Sequence, residues 1–475
     1  MWLQLNQQTA LKKTKTTDRS LALNTLSSSP VRPWARIIGG TNRIVHARPC
    51  TSPTSSLVPS STMSRLLCIS ILSVLLASVV EPAISSSLQR YESIFSFGAS
   101  FADTGNGNLV LAGSSITNPA AHPPYGQTFF GHPTGRRSDG RLIIDFVAQQ
   151  LGLPFLPPSL SHNASFSQGA NFAVMGSTAL HVGFFRDIPA AHPILNTSSS
   201  VQLQWFESLK PSLCSPAQGN HPLPNLYTVW LIILYIHGDS KLAPRFAVCP
   251  LELGFFDKSL FFMGEFGTND YRYYTFSGMT PSQVRSIVPD VVRAIVETTQ
   301  PCECASEHGL IKQGATTVVV PGVPPLGCFP PALELFSSAD PADYEHRTGC
   351  LKEFNDLAAH HNSLLQETLQ IVRTNHPNVV LVYADFFTPI IEMVESPRKF
   401  GFIQDVLRCC CGGGGRYNFN MSASCGMPAA TVCNHPNMYL FWDEHFTEAA
   451  YHYVAKGWLD KLKMRNLLMG TTTYS

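Results

Sequence analysis

The chain has 475 residues, a formal charge of +1, and charged side chains at only 14% of positions against 44% hydrophobic ones. That is ample material for a large buried core, and the even charge balance excludes the basic excess with which a chain grips nucleic acid. The 13 cysteines crowd toward the C-terminal half and form no C-x-x-C pair of the zinc-site kind, a usage that fits disulfides in an oxidising compartment.

Residues 1–62 are rich in Ser, Thr, Pro, Lys and Arg, hold Asp18 as their only acid and show no apolar periodicity. This is the composition of a disordered or transit-like segment. A different pattern starts at Met63: Arg65, then the apolar run from Leu66 to Val80, then small residues from Ala83 to Ser87. A positive start, a short apolar stretch and small residues beyond it describe a secretory signal, and the run is too short for a membrane span. Residues 63–87 are therefore expected to be a signal peptide, with Met63 the true start and residues 1–62 an extension ahead of it. The alternative is an organelle transit peptide. Sequons at Asn163, Asn196 and Asn420 agree with secretion, each a weak signal alone.

Beyond the signal, short apolar runs alternate with helical stripes. Strands are expected at Ser93–Phe97, Ala170–Val174, Leu260–Gly264, Thr316–Val320 and Val379–Tyr383. Thr280-Pro281-Ser282-Gln283 reads as a capping box with proline at the first helical position. It opens a face of Val284, Ile287, Val288, Val291, Val292 and Ile295, one helix kinked at Pro289. A second stripe runs from Leu351 through Phe354, Leu357, His361, Leu365 and Leu369 to Val372, and a last helix from about Thr447 to Leu462. Such alternation implies parallel strands joined by crossovers: one three-layer α/β/α domain over residues 88–465, with about five strands and a tail at 466–475. In such sheets reactive groups gather at the carboxyl ends of strands. Residues 219–248 do not fit. They hold the uncharged, β-prone run Thr228 to Ile236, which is either an extra hairpin or core strand or translated non-coding sequence.

Four positions fall at strand ends or helix starts: Ser100, Gly176, Asn269 and His445. Cleaving an ester requires a nucleophile, a base that deprotonates it and donors for the oxyanion. The Ser100 hydroxyl needs an imidazole, and His445 needs a group that fixes its tautomer. The amides of Ser100 and Gly176 with the Asn269 side chain can receive the oxyanion. Taken singly, each residue has an ordinary explanation as a helix cap, a turn residue or a surface histidine.

Taken together, the blocks FGASFADTGN, GANFAVMGSTAL, FGTNDY and WDEHFTEAAY, with VVVPGVPPLGC and CCGGGGRYNFN between them, resemble the plant GDSL esterase/lipase family of the SGNH hydrolases. The resemblance covers residues 91 to about 462 apart from the insertion. It implies a flavodoxin-like α/β/α fold, secretion, no metal or organic cofactor, and hydrolysis of small-molecule, lipid or polysaccharide carboxylic esters. Ser100 is then the nucleophile, His445 the general base and acid, Asp443 its orienting acid, and Ser100, Gly176 and Asn269 the oxyanion hole. No G-x-S-x-G elbow is present.

The chain departs from the family pattern twice. Ala99 stands where the family has aspartate, which is expected to loosen Ser100. Only Glu444 separates Asp443 from His445, where the family has two residues. Either the loop relaxes to restore the contact, or His445 relies on a backbone carbonyl or on Glu444. The first expectation is a secreted carboxylic ester hydrolase. The alternatives are a weakened homologue that binds acyl or glycosyl ligands, and an acyltransferase. Among other features, His361 reads as a core residue, Asp385 as a helix cap, Gly412–Gly415 as no phosphate loop, and Cys409 as the odd cysteine beside Cys410 and Cys411.

Overall fold

Five strands buried along their whole length have no solvent face to offer, so they must lie between two layers. The computed structural model describes residues 91–188, 195–213, 256–300 and 309–472 with Pro193 and Gly254, and side chains as far as Asn466. The expected extension, signal peptide and 219–248 insertion lie outside the described residues. β1 (Ser93–Phe97), β2 (Gly169–Asn171), β3 (Ser259–Met263), β4 (Thr317–Pro321) and β5 (Val380–Ala384) form one sheet in the order β2-β1-β3-β4-β5, and every pairing is parallel. Ser93 through Phe97 pair in register with Ser259 through Met263, so β1 is flanked on both sides.

The two faces are visible in β3, where successive side chains point opposite ways. Phe261 packs on Phe206 of α3 (Ser199–Leu213), whereas Phe262 stacks on Trp458 of the last helix, α10 (Glu448–Thr472). α1 is Asn106–Val110 and α2 is Ile143–Leu151. α4 is Thr268–Phe276, α5 Pro281–Val284 and α6 Val288–Thr299. α7 is Pro330–Leu335, α8 Lys352–Asn375 and α9 Thr388–Glu395. α3 packs on α6 and α6 on α8 as one group, while α2 and α9 pack on α10 as the other.

Two expected elements differ from the structure. The second strand begins at Gly169 and ends at Asn171, earlier than expected. Its extension remains tied to β1, because Phe172 donates to the Ser96 carbonyl and Val174 to that of Gly98. The expected kinked helix is two pieces, α5 and α6, joined by a 3-10 turn at Arg285–Ile287. The Thr280 capping box is present as read. Pro289, lacking an N–H, sits in the first turn of α6, where no partner is required of it.

Among the described residues, three disulfides join Cys328 to Cys350, Cys410 to Cys433 and Cys411 to Cys425. Of the described cysteines, Cys409 is the one outside a bond. The last two disulfides staple a short hairpin, Cys411–Gly412 against Thr431–Val432. Backbone N–H groups of Cys410 and Cys411 donate to the carbonyls of Phe441 and Trp442, so the stapled loop lies directly beneath the chain entering Asp443. Cross-links of this loop length restrict the unfolded chain by roughly 3 kcal/mol. Replacing Cys411 and Cys425 together by alanine should lower unfolding free energy by about that amount, and urea denaturation followed by tryptophan fluorescence measures it.

Candidate active site

The strand order reverses between β1 and β3, and the loops that leave β1, β2 and β3 meet at that switch point. After β1 the chain turns sharply at Gly98, whose φ is +144° and whose missing Cβ would meet the Gly264 carbonyl carbon at 2.9 Å. Only glycine permits both. Ser100 emerges from this turn almost buried, at 8% exposure.

On the opposite side, Phe441 and Phe446 bridge as antiparallel neighbours, and the Trp442 N–H donates to the His445 carbonyl at 2.8 Å. Asp443 and Glu444 are thus the tip of a tight turn. The Asp443 carboxylate accepts from the backbone N–H two residues on, His445, at 2.8 Å, an Asx turn. The same oxygen accepts from His445 Nδ1 at 3.0 Å. With Nδ1 protonated, Nε2 accepts the Ser100 hydroxyl at 2.8 Å. The shortened spacing therefore restores the contact, the first of the two outcomes expected for it. Glu444 pairs instead with Arg272, at 2.7 Å.

Several residues that sequence reasoning did not single out hold this geometry. Tyr125 donates to the second Asp443 oxygen at 2.5 Å, Arg137 stands 3.8 Å from that oxygen, and the Cys409 thiol donates to the Asp443 carbonyl at 2.7 Å. Burial works to raise the Asp443 pKa, but His445, Arg137 and Tyr125 outweigh it and hold the carboxyl below the usual range. Burial pushes the Tyr125 phenol and the Cys409 thiol well up, with Asp443 adding to both, so each stays a donor.

The loops are also lashed to one another. Asp103 accepts from the N–H groups of Gly105, Gly107 and Met175, joining the Ser100 turn to the loop carrying Gly176. Gln202 accepts from Gly98 N and donates to Gly98 O, so both polar groups of that peptide are held from α3. Asp270 accepts from Ala179 and Leu180, and the Asn269 side chain donates to the Ser177 carbonyl at 2.9 Å. Asn269 lines the same chamber as Ser100 and His445. Gly176, with φ +78°, is absent from that chamber's lining and sits behind it in the adjoining turn. The rest of the lining is mostly apolar, with Phe276, Leu326, Phe329, Phe336 and Phe354 on its walls and Arg272 and Glu444 at one side.

His361 is fully buried, shares a 2.6 Å hydrogen bond between Nδ1 and the Tyr271 hydroxyl, and is held neutral by burial, its pKa lowered to about 3. It is the core residue expected. Asp385 accepts from Phe387 and Thr388 at the start of α9, as a cap. Asn163, Asn196 and Asn420 are all exposed. Among the described residues no helix is long and apolar enough to cross a membrane.

These observations define a class: an α/β protein presenting a serine hydroxyl to an aspartate-bound imidazole at the rim of an apolar chamber. Residues 94–458 match the model of the GDSL-like lipase/acylhydrolase family. A GDSL esterase/lipase of Arabidopsis thaliana is 39% identical over 376 residues, covering 78% of this chain and 90% of that protein. The sinapine esterase of Brassica napus is 39% identical over 378 residues, covering 79% and 86% respectively. The chain belongs to the GDSL esterase/lipase family and is a hydrolase of ester bonds.

Burial raises the pKa of Asp103 and Asp139 to about 6, and that of Glu265 and Asp270 to about 7. A carboxyl whose folded value exceeds its unfolded one contributes stability below the unfolded value and loses it as pH rises through the folded one. The melting temperature should therefore fall between about pH 4 and about pH 7.5, most steeply near pH 5 to 6, and level off above the folded values. Glu265→Gln should flatten that slope in thermal melts across the range. A melting temperature that rises over the same interval would contradict the assignment.

Proposed function

We propose that the chain is a secreted carboxylic ester hydrolase working through Ser100, His445 and Asp443. The observation that carries the reading is the continuous line of hydrogen bonds from Ser100 Oγ to His445 Nε2 at 2.8 Å and from Nδ1 to Asp443 at 3.0 Å. In the first half-reaction Ser100 Oγ bonds to the ester carbonyl carbon while its proton passes to His445 Nε2. The tetrahedral oxyanion is received by the amide of Ser100 and the Asn269 side chain, which line the chamber, with the amide of Gly176 assigned there by the family resemblance alone. Collapse breaks the bond to the alkoxy oxygen, which leaves as the alcohol with the proton from Nε2. Water then repeats the sequence on the acyl-serine, releasing the acid and restoring the hydroxyl. Asp443 keeps the proton on Nδ1 throughout.

Ala99 does not stand alone as a support of the nucleophile. It is 1% exposed, and its carbonyl accepts from Ala102 and Asp103 in a turn held by Gln202 and Asp103. These bonds favour a working enzyme over a weakened binding homologue. Secretion rests on the pattern from Met63 to Ser87, with residues 1–62 preceding the true start. The three disulfides and the exposed sequons suit the same route.

Ser100→Ala should abolish hydrolysis of p-nitrophenyl acetate and butyrate, and Asp443→Asn should lower kcat by roughly 10²- to 10⁴-fold with KM little changed. Equal rates for the wild-type protein and Ser100→Ala would refute the mechanism. Tyr125→Phe leaves one Asp443 oxygen without its donor and should lower kcat by about tenfold, the scale of one lost hydrogen bond to a charged group.

A further inference from the structure

A second cavity of about 180 Å³ adjoins the apolar chamber, and the two share Arg272 and Glu444 as common lining. Their chemistries differ: the chamber is mostly apolar, whereas the second cavity sets hydrogen-bonding groups among apolar walls such as Pro119, Phe419 and Met421. Ser100 and His445 open on the apolar side, and Asp443 lines the polar side, together with Arg137, Asn420 and Ser424. The charged groups of the polar cavity are two guanidiniums and two carboxylates, already matched as Arg272 with Glu444 at 2.7 Å and Arg137 near Asp443 at 3.8 Å. A site with balanced, mutually engaged charge has no surplus for an ionic ligand. It does offer donors and acceptors side by side: guanidinium N–H, carboxylate oxygen, the Asn420 amide and the Ser424 hydroxyl. Hydroxyl groups, each both donor and acceptor, match that mixture. The volume far exceeds the roughly 30 Å³ share of one water molecule.

We infer that this cavity is the subsite for the alcohol half of the substrate, and that it takes a neutral polyhydroxylated alcohol of the sugar type whose acid half lies in the apolar chamber. The inference rests on the esterase reading above and sharpens it. An ester bound across Ser100 and His445 spans two halves, and the walls divide at Arg272 and Glu444 into one apolar half and one hydrogen-bonding half. The leaving oxygen takes its proton from His445, beside Glu444, so the alcohol departs over the shared wall. A site built to hydrogen-bond hydroxyls discriminates strongly against an alcohol that lacks them, because its polar groups are then left unpaired.

The test compares kcat/KM for three esters of one acid: 6-O-butyryl-glucose, ethyl butyrate and butyrylcholine. The expected order places the glucose ester about tenfold or more above the ethyl ester, the scale of one or two hydrogen bonds, with no advantage for the cationic choline ester. Ser424→Leu, which intrudes on the cavity, should bring the glucose-to-ethyl ratio down by about tenfold, and Arg272→Met, which removes donors but keeps the apolar stem, should lower it too. Circular dichroism establishes that each variant is folded. Asn420 stands at the rim within a sequon, so the comparison is repeated in Ser422→Ala, which keeps the asparagine but blocks glycan attachment; the preference must persist there. A glucose-to-ethyl ratio of one or below in the wild-type protein, a ratio unmoved by Ser424→Leu, or a preference for the choline ester overturns the inference while leaving the esterase intact. Failure to cleave any of the three overturns the esterase reading itself.

Discussion

Everything at the centre of this molecule depends on how one carboxylate is kept charged inside the protein. Asp443 is nearly buried, and a bare carboxylate there would protonate rather than stay ionised. It is surrounded instead by donors from several parts of the chain: the ring and backbone of His445, the phenol of Tyr125 and, a little farther off, the guanidinium of Arg137. Each donor that stabilises the charge also restricts where the carboxylate can point. The imidazole inherits that restriction, because one Asp443 oxygen holds both its backbone and its ring. The short Asp-x-His spacing is workable because an Asx turn brings residue i+2 back to residue i.

The other side of the site follows a different rule. The loops after β1 and β2 and the start of α4 bury apolar side chains such as Phe101, Phe172 and Leu180, and hydrogen bonds between them fix their positions relative to one another. Asp103, Gln202 and Asp270 each bind backbone of a neighbouring loop rather than of their own helix or strand alone. The carboxyl groups of Asp103 and Asp270 are desolvated to do so, which shows in their upward pKa values. At position 99, where alanine stands, the turn is held instead from α3 and from Asp103.

The parts of this architecture that could be read from the sequence are those with a period or a local grammar. Uninterrupted apolar runs gave away the five strands to within a residue or so, except β2. There the ladder stops at Asn171, although the chain stays extended and bonded to β1 as far as Val174. The capping box at Thr280 was legible because its chemistry is complete within four residues. The break between α5 and α6 was not, because a 3-10 turn leaves the apolar spacing nearly intact. Ser100, Asn269 and His445 were found because they stand at strand ends or helix starts. Tyr125, Arg137 and Gln202 escaped notice because their partners lie far along the chain and nothing in their own neighbourhoods sets them apart: Tyr125 and Asp443 are separated by 318 positions. The disulfide pairing is likewise a fact of three dimensions, not of spacing.

The sequence distance across the central hydrogen bond has a consequence for how the molecule comes into being. Ser100 and His445 are 345 positions apart, and the base arrives just ahead of the final helix. Domains form during synthesis from the N-terminus onward, and distant contacts close last. A nascent chain can lay down β1 through β4 with its serine in place and still have no imidazole beside it. The Ser100–His445 hydrogen bond closes only when α10 packs against α2 and β5 and brings the turn before it home. A chain halted early thus carries the serine turn without its hydrogen-bond partner, and every copy that joins the two has been read nearly to its end.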